Sequence, residues 1–137
     1  MASILKVDEL RGIVSAGDIT VTDGSVTVKL QDGLAKAWQS ITVSGGTPSF
    51  NDSFNASSIS DQGTGQHTVS FSSSFSSVNY AVTGCCQTSG TGQGNNSGEF
   101  RIGALATGTE AFSTANEGQG AYVDCPRTHI HQLGGLA

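Results

Sequence analysis

The chain has 137 residues, enough for one domain with a short extension. Only 12% of them are charged, the formal net charge is −5, and the six basic residues are scattered along the whole length. Nucleic-acid binding needs clustered Lys and Arg, so it is disfavoured. No apolar run approaches the roughly 18 residues of a membrane-spanning helix, so membrane insertion is not expected.

The first ten residues carry two acids and no long apolar core, so they do not read as a signal peptide. Without a secretory route, the sequons at Asn51, Asn55 and Asn95 read as products of a composition rich in Asn and Ser. Glycine supplies 19 residues, Ser and Thr are abundant, and apolar residues recur regularly. Disorder combines low hydrophobicity with high charge, and the charge is missing. The composition fits an all-β protein with many turns and a neutral polar surface. Cys85, Cys86 and Cys125 make an odd count. They are read as small buried apolar residues, and at most one of the adjacent pair can reach Cys125, because neighbours on a strand face opposite ways.

Residues 1–32 form a leader and residues 33–137 the main domain. In the leader, Ile4, Val7 and Leu10 stand at helical spacing, but Gly12 and Gly17 limit any helix. Two alternating runs follow, around Ile19 and Val21 and around Val26 and Val28, separated by Asp23-Gly24. That dipeptide between alternating runs signals a β-hairpin. Two strands alone are marginal in water, so these seven apolar residues are candidates for oligomerisation or attachment.

In the main domain, Leu30 to Trp38 reads as a helical turn or a linker, and Gln39 to Val43 as a strand. Gly45-Gly46-Thr47-Pro48 reads as a turn. Phe50 and Phe54 are expected on an extended segment, with their rings beneath Trp38. Gln66–Phe71 and Val78–Val82 read as two strands, with Val69 and Phe71 sharing one face and Val78, Tyr80 and Val82 another. His67 is assigned to the strand surface. Thr83 to Gly98 reads as a long exposed loop. Within it Thr88, Gly90, Thr91, Gly92, Gln93, Gly94, Asn95 and Asn96 are the candidate partner or receptor contacts. No Lys-Ser or Lys-Thr pair follows, as a phosphate cradle would require. Strands are expected over Glu99–Ala106 and from Glu110 to Asn116. Pro126 should bend the last strand or place it at an edge. Seven or eight strands after residue 38 suit an antiparallel β-sandwich or jelly roll.

The chain has no Gly-x-Ser-x-Gly elbow, no evident acid pair and no complete calcium loop, so no catalytic residue is assigned and the protein is read as a non-enzyme. His129 and His131 stand at i and i+2 and share a strand face. Two imidazoles do not make a tight metal site, but three copies at a threefold axis would offer six nitrogens to a transition metal such as iron, nickel or zinc. The alternative is two exposed histidines near the C-terminus, with no cofactor.

The strings Gly33-Leu-Ala-Lys-Ala-Trp38, Asp52-Ser-Phe-Asn-Ala-Ser-Ser-Ile-Ser-Asp-Gln-Gly-Thr-Gly65, Thr68-Val-Ser-Phe71 and Asn79-Tyr-Ala-Val82 together resemble a domain common in tailed marine phages, of the kind labelled tail-fibre or virion structural protein. The leader, with Ile4, Val7, Asp8 and Leu10 and then Ala16-Gly-Asp-Ile-Thr-Val-Thr22, resembles the leader of those proteins. The match covers most of residues 1–85 and fades after Gly84. The resemblance implies a non-enzymatic virion component, assembled in the host cytoplasm and most simply a homotrimer. Its partners would be other copies of itself, other virion proteins of the tail or capsid, and a host surface glycan. A tail fibre or spike for host attachment is the first reading, a capsid decoration or cement protein the alternative, and a soluble carbohydrate-binding or hydrolytic module the third.

Overall fold

The computed structural model describes residues 19–23, 25–29, 34–88, 97–116, 118 and 120–137. The chain divides into two compact units, Met1–Leu34 and Ala35–Ala137. In the first, β1 (Thr20–Asp23) and β2 (Val26–Lys29) form a two-stranded antiparallel sheet of their own. Val21 stands opposite Val28, and Asp23 opposite Val26 closes the register, so Asp23 is the last strand residue. Across this pair the hydroxyls of Thr22 and Thr27 lie 3.1 Å apart. Ile4, Val7 and Leu10 lie outside the described residues.

The second unit is all antiparallel strand, with no helix among the described residues. Its eight strands are β3 (Ala35–Ser44), β4 (Thr47–Phe54), β5 (Ala56–Gly63), β6 (Gln66–Phe71), β7 (Ala81–Gln87), β8 (Ser97–Leu105), β9 (Thr109–Asn116) and β10 (Arg127–Leu133). They form one hydrogen-bonded sheet in the order β4-β3-β10-β7-β8-β9-β6-β5, nearly closed into a barrel.

One residue explains the near-closure. β4 and β5 are opposite edges of the sheet, yet only Asn55 separates them in sequence. Asn55 has φ 55°, a left-handed conformation that Asn tolerates better than most residues. Its side chain holds the corner: Nδ2 donates to the Ser73 carbonyl at 3.0 Å, and Oδ1 accepts from the Ser73 amide at 2.7 Å. The extended chain therefore turns at Asn55 from pairing with β3 to pairing with β6.

Alternation sets the two faces. On β3, Ala37, Gln39, Ile41 and Val43 are buried, while Lys36, Trp38, Ser40 and Thr42 are half-buried. On β10, Thr128, Ile130 and Gln132 are buried and the residues between them are exposed. The apolar core joins Ala37, Ile41, Val43, Val69, Phe71, Phe75, Tyr80, Phe112 and Ile130. Phe75 stacks on Tyr80 with ring centroids 4.2 Å apart and meets Phe71 edge-on at 5.0 Å. Each buried ring of this kind contributes about 1.5–3 kcal/mol of transfer free energy.

Several expectations change. Ala35 to Trp38 is strand, because its side chains alternate against β10 and β4. Thr83 to Gln87 belongs to β7 and Ser97 begins β8, so the long loop shrinks at both ends. Val78 is exposed and outside any strand, and only Tyr80 and Val82 of that run turn toward the core. Pro126 stands just before β10, which runs through the middle of the sheet between β3 and β7 and at no edge. His67 is buried, because the period of two that sends Val69 and Phe71 inward sends residue 67 with them.

Phe50 and Phe54 face opposite ways. A bulge between Ser40 and Ile41 lets β4 accommodate one extra residue, Asn51, whose Nδ2 donates to the Thr42 hydroxyl at 2.6 Å. Phe54 stands opposite Trp38 on the outer side, whereas Phe50 stands opposite buried Ile41 and packs against the core.

Candidate functional site

The outer face of β4, β3, β10 and β7 carries the most distinctive exposed side chains. Registers place Phe54, Trp38, His131 and Thr83 in one row across the four strands. The next row is Asp52, Ser40, His129 and Cys85. Phe54 is 51% exposed and Trp38 beside it is half-buried, so two large rings stand together on this face. Between β7 and β10 a shallow cavity of about 280 Å³ is lined by Thr83, Gly84, Cys85, His129 and His131. Aromatic and imidazole faces flanked by hydroxyls provide stacking and hydrogen-bonding surface together.

His129 and His131 share one exposed face, as their spacing predicts. Among the described residues, no three or more His, Cys, Asp or Glu side chains gather closely enough to hold a metal ion. On this face one copy of the chain offers a pair of imidazoles.

Of the candidate contact loop, only Thr88 is described, half-buried just past the end of β7. Gly90, Thr91, Gly92, Gln93, Gly94, Asn95 and Asn96 lie outside the described residues. So do the side chains of Val21, Val26 and Val28, while Ile19 is described and half-buried.

Inside the sheet sits a polar cluster that sequence reasoning missed. Gln132 Nε2 donates to Gln39 Oε1 and to Glu110 Oε2, each at 2.9 Å, and Gln39 Nε2 donates back to Gln132 Oε1 at 3.3 Å. Glu110 is wholly buried, and its Oε1 has no hydrogen-bond partner. Burial pushes its carboxyl up to about 7, against a smaller opposing pull from the Gln132 amide. Nearby, the Tyr80 hydroxyl reaches the carbonyls of Ala106 and Thr109, both at 3.2 Å. Burial, with the Glu110 carboxylate second, pushes that phenol up to about 12.

His67 is another buried titratable group. Its ring nitrogens lie 3.8 Å from Asp61 and 4.0 Å from Asp124, too far for hydrogen bonds, and neither nitrogen has a partner. The ring tilts against Phe112, with centroids 5.4 Å apart. Burial lowers its pKa, and the two carboxylates only partly oppose that. Asp124 itself accepts from the Gly65 amide at 2.6 Å.

A second cavity, a groove of about 290 Å³ over β6, β9 and β8, is lined by His67 and Phe112 together with Gln66, Thr68, Ser113 and Tyr122. Beside it, Arg101 is paired with Glu99 at 2.7 Å and sits 6.0 Å from the Tyr122 ring.

Glu110 is thus held by the Gln132 amide, and His67 lies against the Phe112 ring with Asp61 and Asp124 beyond hydrogen-bond reach. No family model, curated protein or solved structure matches the chain.

Proposed function

We propose that the chain is a non-enzymatic structural component of a phage virion, a homotrimeric tail-fibre or spike-type protein whose main domain contacts a host surface. The observation that carries this reading is the outer row of Phe54, Trp38, His131 and Thr83, which holds no Asp, Glu, Lys or Arg. Exposed rings among Ser and Thr side chains suit the apolar faces and hydroxyls of a surface glycan. A two-stranded β1–β2 sheet, marginal by itself, supports a leader that pairs with other copies or with another virion protein. The eight strands fall into two four-stranded halves joined by the two residue pairs Cys86–Gly98 and Gln87–Ser97. We take these halves as the layers of a sandwich of jelly-roll type.

Sedimentation of the full chain tests the assembly, with a trimer mass expected and a monomer at micromolar concentration overturning it. Gold-labelled antibody on intact particles tests the location. Label at the tail is expected, and label confined to head facets would make the chain a decoration protein instead. Labelled trimer should bind host cells, and Phe54→Ser should weaken that binding by about tenfold, as loss of a contact hot spot does.

A further inference from the structure

Cys86 and Cys125 meet inside the main domain. Cys86 is an inward residue near the end of β7, opposite Gly98 of β8 and Thr128 of β10. Cys125 is wholly buried, two residues before β10. Both sulfurs lie within 3.0 Å of the point that a Cβ on Gly98 would occupy. Gly98 is thus the residue that makes room, since a side chain there would displace one sulfur. The two thiols are free and hydrogen-bonded to each other. Cys85 is exposed on the outer face beside His129, turned away from the pair.

The two thiols are chemically unequal. The Cys86 thiol hydrogen-bonds to the Cys125 sulfur and holds Cys125 down at about 7, while the same contact and burial push Cys86 up. Cys125 is therefore the more acidic sulfur of the pair, and Cys86 the one that holds its proton more tightly.

We propose that Cys86 and Cys125 form a covalent modification site, which a low-molecular-weight disulfide of the glutathione type converts to an intramolecular disulfide that fastens residues 121–126 to the end of β7. Cys125 is wholly buried, so the small disulfide meets it when the hydrogen bonds of residues 121–123 to β9 open; the Cys125 thiolate then attacks one sulfur of the small disulfide, forming a mixed disulfide and releasing one small thiolate. Cys86 then gives up its proton and attacks Cys125 Sγ, releasing the second small thiolate. Two S–H bonds become one S–S bond, and the small disulfide is reduced to two thiols by the two electrons transferred. At present residues 121–126 are held to β9 by the Asn116 amide on the Ala121 carbonyl, the Val123 amide on the Thr114 carbonyl, and the Thr114 hydroxyl on the Val123 carbonyl. The cross-link would add the first covalent tie and close a loop of about 40 residues, long enough for a substantial entropic gain. If the chain is a virion component, it would assemble with open thiols and close them outside the cell. The exchange chemistry itself does not depend on that reading.

The test uses full-length Cys85→Ser protein, reduced and then incubated with oxidised glutathione. Trypsin cuts after Lys36, Arg101 and Arg127, which puts Cys86 in peptide 37–101 and Cys125 in peptide 102–127. After alkylation and denaturing digestion, the two peptides should appear as one species that separates on reduction. The oxidised protein should melt about 10 °C higher than the reduced protein. Added Cys125→Ser should remove both results. Two thiols that remain alkylatable after denaturation would overturn the proposal. So would a glutathione adduct that persists at either cysteine, a cross-link that leaves melting unchanged, or a Cys85–Cys125 bridge in the wild type.

Discussion

The two faces of β10 make the most instructive comparison in the molecule. Inward, Gln132 lies between Gln39 and Glu110 in a fully buried hydrogen-bonded cluster. Outward, one residue away, His131 stands exposed between Trp38 and Thr83. Both faces are polar, so polarity does not separate inside from outside on this strand. The difference is how the polar groups are satisfied. Inner amides are partnered within the protein, and outer imidazoles face solvent. Inner residues should therefore govern stability, and outer residues should govern contact.

The largest expected effect comes from breaking the inner face at its hub. Gln132→Ala removes both donors from the Nε2 group and leaves the Gln39 amide and the buried Glu110 carboxyl unpartnered. The cost should be about 4 kcal/mol, combining two unsatisfied buried groups with the cavity left behind. Denaturant unfolding at pH 7 measures it, and a loss below about 1 kcal/mol would mean that the cluster is dispensable.

Next comes the charge state of the same cluster. Glu110 has a folded pKa of about 7 against 4.5 when unfolded, so the folded form binds the proton more tightly. Its contribution is fully present below pH 4.5 and is lost as pH rises through 7, by about 3 kcal/mol at most. Glu110→Gln should abolish that decline, leaving the variant about 2 kcal/mol more stable than wild type at pH 8 and without that advantage at pH 4.5. Parallel curves for the two proteins between pH 4.5 and 8 would reject the assignment.

A smaller effect of opposite sign belongs to His67. Its folded pKa lies below the ordinary histidine value of 6.5, so its contribution is present above pH 6.5 and is lost as pH falls through the lowered value. The groups facing it are Asp61 from β5, Asp124 from the segment before β10, and Phe112 from β9. The two carboxylates offset part of the burial penalty, which keeps this effect below that of Glu110. In the Glu110→Gln background the acid-side loss should stand alone, and His67→Leu should flatten it. Thermal melts of both variants from pH 5 to 8 would show this.

The all-β class, the leader hairpin and most strand positions were legible because alternation is a local signal. Asp23-Gly24 marked one hairpin, and Gly45-Gly46, both with positive φ, marked another. His67 was legible in principle, since it keeps step with Val69 and Phe71, but its polarity argued for the surface. Phe50 was not legible, because the bulge at Asn51 reverses the alternation and only the register with β3 reveals it. The cluster of Gln39, Glu110 and Gln132 was hidden for a different reason. Its members come from three different strands, β3, β9 and β10, and each amide or acid alone reads as a surface residue. The single sheet depends on two residue pairs between β7 and β8, and its near-closure on the corner at Asn55, neither of which periodicity encodes. The pair Cys86 and Cys125 was half legible, since strand geometry allows only one of the adjacent cysteines inward without saying which.

The smallest expected effect completes the comparison from the outer side. His129 and His131 are exposed and make no side-chain hydrogen bond or ion pair among the described residues. Replacing both with Ala leaves the buried partners of Thr128, Ile130 and Gln132 in place, so stability should change by no more than about 0.5 kcal/mol. A larger loss in the assembled protein but not in dilute monomer would place the imidazoles at a contact between copies. Melting of the assembled wild type with and without a chelator then separates two causes: a chelator-sensitive difference requires metal held jointly by several copies, and a chelator-insensitive one requires packing alone. Unchanged stability with weakened attachment to host cells would leave the two histidines as surface the domain presents, which is what the division between the faces of β10 requires.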